Sequence, residues 1–222
     1  MHQQPFTTRI NWLEQLAAQH SQAFADSTTQ RQRYLQQHPT KIIALKCMDG
    51  RIHLPHATQT PLGIIQPYRN LGGIFDLGWP YLGDLLCEDI EQALHEGRPV
   101  LVIISYHYSA GDKWRGCAGF HCDKDAALAQ ALYIREQLNQ LFVGNPHCYA
   151  MVVGFETDTD ALVLHGSTGQ MLDLSLHQQR VIPQLPKLLQ QLCPAMPESI
   201  QRDLLPLLTG NIKHSTQQRQ QR

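Results

Sequence analysis

Pro99-Val100-Leu101-Val102-Ile103-Ile104-Ser105-Tyr106 is an unbroken apolar run that stops at His107. A strand with one wetted face would alternate apolar and polar residues. A continuous run is the pattern of a central parallel strand covered on both sides. Parallel neighbours need crossover connections, so the chain has to supply helices between its strands. It does. Apolar strand-like segments at 41–46, 63–68 and 148–155 are separated by segments of helical spacing at roughly 83–96 and 124–141, with Asp123 placed to cap the second helix. A further strand at 161–165 follows a polar turn, 156–160. Strand–helix alternation of this kind predicts an α/β domain with a mainly parallel central sheet of about four strands flanked by helices, extended by an antiparallel edge strand.

The flanks read differently. Residues 8–24 carry Ile10, Leu13, Leu16, Ala17 and Phe24 at helical spacing, with Thr7 or Thr8 as the expected cap, and a polar helix is expected over 27–37. We take 1–40 as an N-terminal helical arm, 41–212 as the α/β domain, and 213–222, which has no apolar residue beyond the stem of its lysine, as a disordered polar tail. Val181–Leu208 reads as two short helices broken by Pro194 and Pro197.

With 18 Lys and Arg against 19 Asp and Glu, the net charge is −1, which gives no electrostatic case for nucleic acid or an acidic membrane surface. No apolar stretch nears the ~20 residues of a membrane span, and the first residues lack a secretory pattern. The six cysteines, with no export signal, are therefore expected to be thiols or metal ligands in a cytoplasmic setting rather than a disulfide framework.

The chemistry gathers where strands end. Ile42-Ile43-Ala44-Leu45-Lys46 runs into Cys47, Asp49 and Arg51 at alternate positions, which would project together if the strand continued. His107 ends the central strand, and the loop after it supplies Cys117 within Gly116-Cys117-Ala118-Gly119. Two thiolates and one imidazole suit zinc and leave a fourth tetrahedral position open, as catalytic sites require. Taken singly, each residue reads equally well as a buried free cysteine, a satisfied strand-end histidine or a surface ion pair. Cys87, Cys148 and Cys193 match no site spacing and are read as structural.

Cys47-Met48-Asp49-Gly50-Arg51 resembles the Cys-x-Asp-x-Arg motif of β-class carbonic anhydrases, and Arg69-Asn70-Leu71-Gly72-Gly73 resembles the Arg-Asn-x-Gly turn of that family. The likeness spans roughly residues 41–170. One feature departs from it. Most members carry His-x-x-Cys, whereas nine residues separate His107 from Cys117 here, a longer loop similar to that of the divergent branch containing the carboxysome shell carbonic anhydrases. This chain is too short to carry that branch's extra domains. Cys117 is the chosen second thiolate on its setting, and Cys122, just before the following helix, is the alternative.

The resemblance implies one Zn2+ per chain on Cys47, His107 and Cys117, and reversible hydration of CO2 to bicarbonate and a proton by hydroxide generated at that zinc. It implies that Asp49 orients the nucleophile and Arg51 holds Asp49, with Arg69, Asn70, Gly72 and Gly73 near substrate. It also implies a homodimer or higher homo-oligomer, free in the cytoplasm or associated with a carboxysome-type compartment. His53, His56 and His121 are candidate proton carriers, and Ile74 and Phe75 candidate pocket walls. A related zinc hydrolase acting on carbon disulfide, or a non-catalytic bicarbonate-sensing or assembly protein, would use the same scaffold.

Overall fold

The computed structural model describes residues 4–221; residues 1–3 of the expected arm and residue 222 of the expected tail lie outside it. Six strands form one sheet in the order β2-β1-β3-β4-β5-β6. They are β1 (Lys41–Cys47), β2 (Ile65–Asn70), β3 (Val100–Tyr108), β4 (Cys148–Glu156), β5 (Ala161–His165) and β6 (Met171–Asp173). The first four in that order are parallel, and β5 and β6 are antiparallel additions. The apolar run of 99–106 is the central strand, flanked by β1 and β4.

Helices cover both faces. On one, Ile43, Leu45, Val100, Val102 and Ile104 pack under α4 (Leu82–His95) and α5 (Lys124–Leu141). On the other, Ile42, Ala44, Leu101 and Ile103 pack under α6 (Leu185–Leu192) and α7 (Glu198–Gln220). The alternation of 42/44 with 43/45 between the two layers is the period of a strand, and each fully buried Ile or Leu contributes about 1.5–3 kcal/mol. Asp123 caps α5 as expected, accepting from the backbone N–H groups of Asp125 and Ala126. Gly97, with φ of 72°, follows α4 as the expected terminator.

Several expectations are corrected. Leu54–Ala57, expected as loop, is a short helix, α3. Strand β6 was not anticipated: three residues are too few to show a period. The arm helix α1 spans Phe6–Asp26, starting after Pro5 rather than at Thr7 or Thr8, and is followed by α2 (Thr28–Gln37). Neither helix buries a residue. The tail expected to be disordered instead continues α7 to Gln220, with His214 and Ser215 buried. Apolar periodicity was the wrong test there, because polar contacts tie the helix down. His214 Nε2 lies 2.9 Å from Asp160 Oδ2, and Arg219 donates to the His177 carbonyl. One turn further back, the fully buried Asn211 donates to the Ala57 and Asp160 carbonyls at 3.0 and 2.8 Å and accepts from Leu162 N at 2.9 Å. That single amide locks α7 to α3 and to the β4–β5 turn. No helix among the described residues is long and apolar enough to cross a membrane.

Candidate metal centre

In the strand order 2-1-3-4, the chain leaves β1 for β2 on one side, then crosses back past β1 to β3 on the other. The carboxyl ends of β1 and β3 therefore flank a switch point, where open α/β sheets place their ligands. Cys47 is the last residue of β1, and His107 is the penultimate residue of β3. The loop after β3 brings Cys117 back between them. One ligand atom from each of Cys47, His107 and Cys117 lies within 4.8 Å of the others, and the two sulfurs are 3.9 Å apart. All three residues are buried. They form the one such group of His, Cys, Asp or Glu among the described residues.

Cys122 is not part of it. Its thiol donates to the Trp114 carbonyl at 3.3 Å, while its backbone N–H donates to the Cys117 carbonyl and so helps close the turn that carries Cys117.

The group fits a metal ion on evidence internal to the fold. Neither ring nitrogen of His107 has a hydrogen-bond partner, although the residue is only 1% exposed. Leaving such a group unmet costs about 1–3 kcal/mol, which ligation removes. The thiols are electrostatically poised as well. The Cys117 S–H donating to Cys47 pulls the Cys47 thiol down, and that same bond pushes the Cys117 thiol up, so the pair favours one thiolate with its neighbour protonated. A divalent cation with two thiolates and an imidazole resolves both, and this soft donor set with one tetrahedral position to spare is that of zinc.

Asp49 and Arg51 sit beside the group but not by strand pleating. β1 stops at Cys47, and residues 48–51 turn. The turn folds Arg51 back on Asp49: Nε donates to Oδ1 at 3.1 Å and Nη2 to Oδ2 at 2.7 Å, while the Arg51 backbone N–H reaches Oδ1 at 2.9 Å. The fork holds the Asp49 carboxyl at about 2, below the usual carboxylate range. Asp49 Oδ2 lies 4.0 Å from His107 Nε2, so the carboxylate faces the metal group. Arg51 Nη1 donates to the Arg115 carbonyl at 2.8 Å, a contact across 64 residues that no sequence spacing announces.

The Arg-Asn-x-Gly turn is the floor under the site. Asn70 Oδ1 accepts from Leu71 N and its Nδ2 donates to the Ile74 carbonyl, so its amide is spent on the turn itself. Gly72 and Gly73 both take positive φ, 70° and 66°. A Cβ on Gly73 would stand 3.2 Å from Cys47 N and 3.3 Å from Ser105 O. Gly119, in the Cys117 turn, approaches so closely that a Cβ there would meet Gly72 Cα at 2.5 Å. The two turns are thus packed backbone on backbone.

Arg69 is exposed and lines a different cavity with Lys46 and His53, whose walls include none of the three metal-type residues. Lys46 itself is buried, donates to the Ile52 carbonyl, and is lowered to about 8 by burial and then by Arg69. His53 and His56 line a cavity shared with His20 and His214, and His121 is exposed. Phe75 is buried in the core under α4 and α5, which serves packing.

The sheet order, the switch-point position and the Cys-His-Cys set with an Asp–Arg pair define a β-carbonic-anhydrase-like metalloprotein. The solved β-carbonic anhydrase CcaA shares the fold: TM-score 0.51 at 11% identity, covering 75% of this chain and 92% of that one. The sequence profile of the carboxysome shell carbonic anhydrase catalytic domain matches residues 30–182, and the chain belongs to that family. Two curated carboxysome shell carbonic anhydrases from strains of Prochlorococcus marinus are 26% and 27% identical to it over 135 residues. Those matches cover 55% and 54% of this chain and 26% of each relative, so the chain matches about a quarter of their length.

Proposed function

We propose that the protein is a zinc-dependent carbonic anhydrase that interconverts CO2 and bicarbonate. The observation that carries the reading is the buried, unpartnered His107 imidazole held with two thiols opposite an arginine-locked carboxylate. Zinc on Cys47, His107 and Cys117 would supply a Lewis acid that makes hydroxide available from water near neutral pH.

The chain's own residues do the rest. Asp49, kept ionised by Arg51, is an acceptor only, so it would accept a hydrogen bond from the attacking hydroxide and leave a lone pair aimed away from itself, toward the carbon of CO2. Arg51 fixes that direction, because a two-point fork has one orientation where a single contact has many. The Gly72–Gly73 turn, held by the Asn70 amide, backs the Cys47 end of the site, while Arg69 faces a separate cavity. The released proton leaves through solvent or an exposed histidine, of which His121 lies in the loop following Cys117.

We read residues 1–40 as an arm that completes a homo-oligomer, the smallest being a dimer. Supporting this, α1 buries no residue and leaves Phe6, Trp12, Leu13 and Phe24 exposed, while Met48, Leu71 and Trp114 stand exposed in the turns that build the site. Association with a carboxysome-type compartment is the setting that the names of the two relatives suggest.

Stopped-flow CO2 hydration by the zinc-loaded protein over about pH 7 to 9 tests the reaction. Turnover that rises with pH and disappears with a zinc chelator is the expected result. Protein holding stoichiometric zinc with no rate above buffer would overturn it.

A further inference from the structure

The loop between His107 and Cys117 is where this chain departs from the shorter spacing, and a long loop has to be held if its last residue is to ligate a metal within a few tenths of an ångström. One carboxylate does much of the holding. Asp158, in the turn between β4 and β5, accepts from Ser109 Oγ and from Gly111 N, both at 2.8 Å through Oδ2. Its Oδ1 faces Arg115 Nη1 at 3.6 Å. The same side chain thus grips the beginning of the loop and its end, two residues before Cys117.

The turn that presents Asp158 is itself fixed. Glu156 Oε1 accepts from Asp158 N at 2.8 Å and from Ala110 N at 3.3 Å, and its Oε2 accepts from Thr159 N and Oγ1. Arg115 then passes the constraint on. Its side chain faces Asp158, and its carbonyl takes Arg51 Nη1, the one terminal nitrogen that Asp49 leaves unused. A continuous path of polar contacts therefore runs Asp158–Arg115–Arg51–Asp49 and ends 4.0 Å from His107 Nε2.

We infer that Asp158 is a positioning residue for the metal centre, clamping the loop 109–115 so that Cys117 reaches Cys47 and His107 and so that Arg51 stays turned on Asp49. The inference rests on the metal-centre reading above. Asp158 holds Ser109, Gly111 and Arg115, and acts on the metal group through Arg115 and Arg51. With the clamp removed, Ser109 and Gly111 lose their acceptor, the loop gains freedom, and the Arg115 carbonyl no longer holds the far side of the Arg51 fork.

The test compares Asp158→Ala, Asp158→Asn and Asp158→Glu in the full-length metal-loaded protein. Zinc affinity, measured by competition with a chelator, is expected to fall about 10- to 100-fold in Asp158→Ala, the range for outer partners of a metal site. A smaller loss is expected in Asp158→Asn, which keeps an acceptor oxygen but not the charge. Asp158→Glu is expected to restore part of the affinity. Cobalt(II) in place of zinc reports the ligand set by its thiolate absorption, and this band should weaken or shift in Asp158→Ala.

A double-mutant cycle with Arg51→Lys separates positioning from general support. If Asp158 acts through Arg51, the two losses in CO2 hydration combine to less than their product. Should Asp158→Ala not fold, Asp158→Asn carries the same comparison. A lowered melting temperature with zinc affinity and the cobalt band unchanged would overturn the inference. Wild-type protein that binds cobalt with thiolate absorption but hydrates no CO2 would overturn the proposed reaction alone, and the affinity and spectral arms would still decide on Asp158.

Discussion

Two buried polar clusters stitch this fold together, and they differ in one respect. Around Asn211, every amide contact closes inside the protein: two carbonyls receive its Nδ2 and one backbone N–H meets its oxygen. Around His107, the imidazole has no hydrogen-bond partner on either nitrogen and the two thiols have chiefly each other. Both clusters join segments far apart in sequence, and both are as buried as the apolar core. Burial of polar groups therefore does not mark a functional site. What marks it is a whole imidazole left unmet between two thiols, where single unmet atoms such as the Tyr34 hydroxyl occur elsewhere, because a satisfied buried network stabilises a fold while an unsatisfied one destabilises it unless something else binds.

The comparison breaks most visibly at the sulfurs. Cys47→Ser should abolish zinc retention and cut CO2 hydration by more than about 100-fold, beyond the range for outer partners, with metal content and rate falling together. Cys122→Ser, changed at the thiol that the geometry leaves out of the group, should retain both. Metal analysis alongside stopped-flow rates reads the two outcomes, and full zinc in Cys47→Ser would refute the ligand set.

At the satisfied cluster the effect should be on stability and not on the metal. Asn211→Ala leaves a buried N–H and two carbonyls without partners and should cost about 2–4 kcal/mol in urea unfolding, with zinc bound per folded chain unchanged. If it instead lowered zinc affinity while leaving stability intact, the two clusters would not be the distinct kinds of structure described here.

The smallest effect is electrostatic. Arg51 lowers the Asp49 carboxyl from 3.8 in the unfolded chain to about 2 in the fold. The unfolded state then binds the proton first, so the stabilisation from this pair is complete above the unfolded value and is lost as pH falls toward the folded one. In metal-free protein, the stability difference between wild type and Asp49→Asn should be constant above about pH 5 and shrink between about pH 4 and 2. Because the pair is partly exposed, the change is modest. A difference that stays flat through that window would show that the fork does not hold in solution.

Much of this was legible in the sequence, and the reasons are particular. The run into His107 could only be a doubly covered strand, and the helix capped by Asp123 announced itself through its acceptor and its periodicity. Cys47, Asp49 and Arg51 were legible as a motif, yet for the wrong local reason: a turn, not the strand pleat, brings Asp49 and Arg51 together. The end of α7 was misread because His214 and Arg219 are held by partners elsewhere in the chain rather than by an apolar face. Asp158 was invisible for a related reason. Aspartate in a polar turn is ordinary turn chemistry, and only the fold shows that this one faces a loop 43 to 49 residues away.

The 3.9 Å between the Cys47 and Cys117 sulfurs has one more consequence, and it concerns the unfolded chain. Seventy residues lie along the backbone from one sulfur to the other, a stretch that contains β2, α4 and the whole of β3. An ion gripping both ends would act as a removable cross-link closing that loop, penalising the open chain by roughly the entropy that a long-loop disulfide removes, about 4 kcal/mol. It would differ from a disulfide in being set by free metal concentration rather than by redox poise. The centre that we assign to catalysis is thus also the clasp that ties the first strand of the sheet to the loop beyond its third.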